Sequence, residues 1–168
     1  MSRAFHRLYS STSSSSATTI AAQFLSRSQA LPPHTHTQFI DPNQVQRLSA
    51  TLSRPELADP LPKHSTILPA CYHLAYFTPS QVEDELGRDG TDTTFNPPRP
   101  FTRRMWAGGE LEWRGGTANP LKVGQIITET TRLVSAVGKT TRAGQEMVVV
   151  GVEKSYQNED GIALIDKR

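Results

Sequence analysis

Cysteine is almost missing: Cys71 stands alone in 168 residues. No intrachain disulfide can form, which excludes a fold stapled by disulfides. No run approaches the roughly 20 apolar residues of a membrane-spanning helix. Acidic residues are absent from the first forty positions, where Arg3, Arg7 and Arg27 leave a head of net charge +3. The 16 Asp and Glu all lie from Asp41 onward and face 15 Lys and Arg there, so the body is −1. A nearly neutral body lacks the dense basic surface that nucleic-acid binding needs. Glycine is missing before Gly87 and proline after Pro120. The front half therefore reads as irregular and proline-stiffened, the back half as sheet-forming.

What the head does contain is arginine, small apolar residues and an unbroken hydroxyl run from Ser10 to Ser16. Those are the marks of a mitochondrial transit peptide, drawn inward by a negative matrix potential. Arg7-Leu8-Tyr9-Ser10 has the look of a processing site. The plainer reading is an unstructured N-terminus. Residues 1–39 are accordingly expected to be transit peptide and linker, and residues 40–168 the folded domain. With one domain's worth of chain, a mitochondrial matrix protein is the expectation.

The first firm element begins at Asp41. Asp41 fits an N-cap, Pro42 the first helical position, and Gln44 the third residue of a capping box. Ile40 and Val45 are spaced for a hydrophobic staple. Val45, Leu48 and Leu52 recur on one face, so the spacing predicts a helix over 42–53. Ala70 to Phe77 reads as a strand bordered by prolines, and 87–100 as a long loop. Phe101 to Ala107 reads as a short helical turn and Gly108 to Trp113 as a strand. Ile126–Val137, Met147–Tyr156 and Ile162–Ile165 read as three more strands. Residues 138–145 form the turn that pairs the first two of these antiparallel. The sum is an α+β fold, several antiparallel strands with at least one helix packed on them.

Motifs for familiar chemistry fail on inspection. Gly138-Lys139-Thr140 resembles the tail of a phosphate loop, but the glycine required upstream is Leu133. It reads as a hairpin turn. Gly108-Gly109 completes no dinucleotide fingerprint. His34 and His36 have no acidic residue or cysteine nearby in sequence and read as linker, so no metal site is expected. His73 reads as a packed or edge residue of its strand, and Cys71 as a small buried apolar residue. Arg103-Arg104 could pair with a phosphate or carboxylate; a solvated turn is the plainer reading.

One segment is more specific. Phe101-Thr102-Arg103-Arg104-Met105-Trp106-Ala107-Gly108-Gly109 precedes Leu111-Glu112-Trp113 and then Pro120-Leu121-Lys122-Val123-Gly124. Asp59-Pro60-Leu61-Pro62, Leu74-Ala75-Tyr76-Phe77, Asp89-Gly90-Thr91-Asp92 and Gly138-Lys139 fall around it in matching order. This arrangement resembles the N-terminal half of the mitochondrial 3-hydroxyacyl-thioester dehydratases of type 2 and their mesaconyl-CoA hydratase relatives, MaoC-like proteins of the hotdog fold. It runs over about residues 40 to 168, an ordinary domain size.

The resemblance implies a hotdog, an antiparallel sheet curled around a helix, here a single and incomplete one. It implies a hydro-lyase of mitochondrial fatty acid synthesis. Its substrate is a 3-hydroxyacyl thioester of acyl carrier protein or coenzyme A, and it needs no cofactor. Such dehydration needs a base for the α-proton, an acid for the departing hydroxyl and N–H donors for the enolate oxygen. The family supplies acid and base in an Asp-x-Asn-Pro-x-His motif on the second hotdog, which this chain is expected to lack. The nearest counterpart here is Asp59 to His64, with Leu61 in place of Asn. Asp59 and His64 are thus the weak catalytic candidates. Arg103, Arg104, Trp106, Gly108 and Gly109 are the substrate-binding candidates, with Trp106 lining an acyl tunnel or, equally, filling the core. Two other readings stay open: a non-catalytic subunit that binds an acyl thioester or pairs with another hotdog as a homodimer or with a second domain, and an inactive truncated fragment.

Overall fold

The computed structural model describes residues 16–168. The proposed processing site at Arg7–Ser10 lies outside them. In chain order the elements are α1 (Ala17–Gln29), β1 (His34–Phe39), α2 (Pro42–Thr51), α3 (Pro55–Ala58), a 3-10 turn (Tyr72–Ala75), a second 3-10 turn (Glu83–Glu85), β2 (Glu110–Trp113), β3 (Ile126–Thr140), β4 (Glu146–Asn158) and β5 (Gly161–Lys167). The five strands form one sheet in the order β1-β3-β4-β5-β2, and every neighbouring pair is antiparallel. This is the expected α+β architecture, in line with a hotdog-like fold. Among the described residues no helix is long and apolar enough to cross a membrane.

The sheet is the Val-, Ile- and Thr-rich back half, as its composition requires. Ile127, Glu129, Thr131 and Leu133 alternate into the interior along β3. The strand runs on through Gly138-Lys139-Thr140, so that triplet is strand and not turn; the turn occupies 141–145. β1 adds the edge His34–Phe39, so the sheet starts inside the stretch read as linker.

α2 forms where its cap signals stand. Asp41 Oδ1 accepts the Gln44 N–H at 3.0 Å. Ile40 and Val45 are fully buried, as a staple requires. The Gln44 side chain does not close a capping box; its Nε2 donates to the Ala75 carbonyl. The helix stops at Thr51, and Leu52, expected on the buried stripe, is 52% exposed. Ser49 takes its place inward, 3.1 Å from the Tyr72 hydroxyl.

Residues 70–77 are not a strand. Cys71 adopts φ 68°, and Leu74, Tyr76 and Phe77 N–H groups bond back to Cys71 and His73 carbonyls. Extended pairing is thereby ruled out. Tyr72, His73, Tyr76 and Phe77 are buried at helical spacing, the period that an apolar run this short conceals. Residues 101–107 carry no helical turn either; they run without regular structure to β2.

No central helix comes from residues 78–107. Two pieces cover the sheet instead. The 72–77 segment lies over its middle. α1, from the head, lies along β3, with Ala17, Ile20 and Ala21 buried. Gly138 makes that approach possible, since a Cβ there would stand 2.4 Å from the Thr18 nitrogen. Glu146 Oε1 also accepts the Ala17 N–H at 3.1 Å.

Candidate functional site

Strand register brings two cross-strand rows onto the covered face of the sheet. One row is His36, Glu129, Tyr156, Leu164 and Trp113; the next is His34, Thr131, Lys154, Asp166 and Leu111. The second row and Glu129 put four charged or hydroxyl groups next to one another in the interior. Glu129 Oε1 accepts from Lys154 Nζ at 2.9 Å and from Thr131 Oγ1 at 3.0 Å. Asp166 Oδ2 accepts from Arg168 Nη2 at 2.6 Å and Nε at 2.8 Å. Each buried carboxylate thus has its own cation, the condition under which a charge survives burial. The bonds from Asp166 hold the Arg168 guanidinium charged, raising its pKa further.

The 3-10 turn sets aromatic rings on top of these rows. His73 meets Tyr156 edge-on with centroids 4.8 Å apart, Phe77 meets the same ring at 5.1 Å, and His36 meets Phe77 at 5.8 Å. His73 is 2% exposed, and its Nε2 has no hydrogen-bond partner among the described residues. Burial lowers its pKa to about 4, with nearby Asp166 pulling the other way, so the ring is neutral at physiological pH. Burial, and then the Glu129 carboxylate, push the Tyr156 hydroxyl far above its ordinary range.

His73 also stands in the wall of a cavity of about 220 Å³. Ile67, Leu68, Leu121 and Trp113 supply apolar wall, and Cys71 lies beside them. Two stretches of backbone build it. Leu68 N–H bonds to the Leu121 carbonyl at 2.8 Å and Val123 N–H to the Thr66 carbonyl at 2.9 Å. Cys71, read from sequence as buried, is exposed. The left-handed turn at its own backbone carries it outward.

The sequence-based candidates fall elsewhere. Asp59 ends α3 and His64 follows in a loop; both are exposed, and no hydrogen bond joins them among the described residues. The His64 ring lies against the backbone of Gly124. Arg103 and Arg104 are exposed, with Arg104 Nη1 donating to the Asp92 carbonyl at 3.1 Å. Trp106 is 70% exposed and so is not core; Arg168 lies over its ring at 6.0 Å. Gly108 and Gly109 lead into β2 as exposed residues. At Gly109 a Cβ would sit 2.9 Å from the Trp106 ring and 3.0 Å from the Lys167 carbonyl, so a larger residue would push the indole outward. The structure therefore groups Trp106, Gly108 and Gly109 near the end of β5, apart from Asp59 and His64 in sequence and contacts.

The cluster of buried His73, Glu129, Tyr156 and Asp166 with half-buried Lys154 was missed from sequence. Its one legible signal is a charged residue at an inward position of an alternating strand, as at Glu129.

Residues 71–168 match the model of the hydroxyacyl-thioester dehydratase type 2 family. The chain belongs to that family. The match starts at Cys71 and takes in the 3-10 turn, the Trp106–Gly109 segment and four of the five strands. The chain is also similar to the mesaconyl-C(4)-CoA hydratase of Chloroflexus aurantiacus, with 31% identity over 118 residues. That similarity covers 69% of this chain and 40% of the relative, so the chain spans less than half the length of the curated relative it matches.

Proposed function

We propose that this dehydratase-family chain serves a hydro-lyase that interconverts 3-hydroxyacyl and enoyl thioesters in mitochondrial fatty acid synthesis, and that it supplies the acyl-binding hotdog. The family match over residues 71–168 carries the reading. The acyl group is held in the interior reached beside Trp113 and Leu121, and the carrier, acyl carrier protein or coenzyme A, stays outside with Arg103 and Arg104 near its phosphates. We place the acid and base on a second hotdog, as the family resemblance implies; Asp59 and His64 are both exposed, and no hydrogen bond joins them among the described residues. A general acid–base pair must lie within hydrogen-bond reach of its substrate. That second hotdog is a further domain or a second subunit.

The test is spectrophotometric dehydration of 3-hydroxybutyryl-CoA by the chain alone and by the chain with a second hotdog bearing the Asp and His. We expect no turnover alone and turnover on complementation. Turnover by the chain alone that is lost in Asp59→Asn would move catalysis to Asp59 and His64. Thioester binding by neither preparation would sink the proposal.

A further inference from the structure

We propose that Trp106 is a stacking platform for a nucleobase: the adenine of coenzyme A lies on its ring, with Arg168 beside it for a phosphate. The inference rests on the thioester reading above and deepens it, because it selects coenzyme A as the carrier.

The ring is exposed and yet seated. Trp106 is 70% exposed. Its six-membered ring nevertheless occupies the space that a side chain on Gly109 would need, close to the Lys167 carbonyl. Arg168 Cζ stands 6.0 Å from the ring centroid. That guanidinium is itself pinned, by two bonds to Asp166 Oδ2, and the Asp166 side chain is 5% exposed. A surface ring held this way has little freedom left to lose on binding. The guanidinium gives two donors to Asp166 and keeps others, unbonded among the described residues, that suit a phosphate. Arg103 and Arg104 add two exposed cations just upstream.

Strand register connects this ring to the cavity. Arg168 N–H and carbonyl bond to Val152 at 2.8 and 2.7 Å, which puts Arg168 one row beyond Asp166 on the covered face. Gly109 leads into β2 beside that row, Leu111 stands on the next row and Trp113 on the one after. Two residues of strand span about 7 Å, so about 14 Å separates Gly109 from Trp113. Trp113 lines the cavity of about 220 Å³. A ligand that uses the whole face carries an aromatic group, negative charge beside it, and a narrow arm ending in an apolar group. A short acyl-coenzyme A has these parts in that order. Acyl carrier protein presents the same arm without a base. Adenine offers a π-face to the indole, as every base does. No bond is made or broken.

The experiment is calorimetric titration of the full chain with butyryl-CoA and with butyryl-phosphopantetheine, which has the same arm and no base. Butyryl-CoA should bind at least about fivefold tighter, Trp106→Ala should remove that advantage, and Trp106→Phe should keep most of it. An exposed side chain can be replaced with little loss of stability, so urea unfolding of both variants should match the parent. Adenosine 3′,5′-bisphosphate alone should quench the emission of Trp113→Phe, in which Trp106 is the sole tryptophan. Equal affinity for the two thioesters, or a Trp106→Ala that weakens both alike, would overturn the site. So would emission that shifts to the blue as the chain dimerises with concentration, which would give the ring to a second copy. Base-dependent binding without complemented dehydration would refute the hydro-lyase reading alone. Complemented dehydration with no preference between the thioesters would refute this inference alone.

Discussion

His73 has given up almost all contact with water, and the lost hydration lowers its pKa from 6.5 to about 4. Below pH 6.5 the unfolded chain takes up a proton that the folded chain refuses until about pH 4. Stability therefore falls as pH drops through that window, by up to about 3 kcal/mol once both states are protonated. Urea unfolding at pH 7 and at pH 4.5 reads this directly. His73→Leu should flatten the pH slope, and an unchanged slope would show that other groups carry it. The Glu129–Lys154 pair sets a second test at the same scale. Lys154→Met leaves a buried carboxylate with only the Thr131 hydroxyl, which should cost about 3 kcal/mol. Adding Glu129→Gln should return most of that loss in the same denaturation series. Of these residues the sequence marked only His73, as a packed or edge residue of a strand, because burial of a charge depends on strand parity and on neighbours far along the chain.

Elements were legible where local signals agree. The Asp41 cap, Pro42 and the Ile40–Val45 staple fix the start of α2, and each is a contact within five residues. Its last turn was not legible. Leu52 has the right spacing for the buried stripe, but the helix ends before it and leaves it as an exposed C-cap, whereas Ser49 finds the Tyr72 hydroxyl. The 70–77 segment failed in the opposite way. Its eight residues are equally apolar as strand or helix, and the left-handed backbone at Cys71 decides between them. α1 shows how one residue can seat an element. Gly138→Ala would place a methyl 2.4 Å from the Thr18 nitrogen and 2.5 Å from the Ala17 carbonyl carbon. We expect about 1–3 kcal/mol of destabilisation from that overpacking. Faster amide hydrogen exchange confined to Ala17–Gln29 would locate the effect; unchanged exchange there would mean that α1 does not depend on this approach.

At the scale of the whole molecule, covering the sheet is shared between the head and the middle of the chain. β1 pairs with β3 across about ninety residues of sequence, His34 opposite Thr131. Loop closure over such lengths is slow relative to local pairing, so the β3–β4 hairpin should form before β1 docks. The aromatic distribution gives a further check. Tyr72, Tyr76 and Tyr156 are buried, while Trp106 and Trp113 are 70% and 46% exposed. Native tryptophan emission should therefore lie near that of solvated indole and be quenched readily by acrylamide. A blue-shifted, protected emission would mean that Trp106 and Trp113 are covered in solution.

The sequence by itself determined the class of fold, the antiparallel β3–β4 pairing, the capped start of α2 and the family. Those follow from composition, period and motifs, which act over a few residues or through residue identity alone. Only the tertiary structure decided that part of the head belongs to the fold, that β1 closes one edge of the sheet, and that His73, Glu129, Lys154, Tyr156 and Asp166 share one interior. It also turned Cys71 outward onto a cavity wall. Each of these depends on which distant strand lies alongside, and a one-residue change of register would send every such side chain to the opposite face.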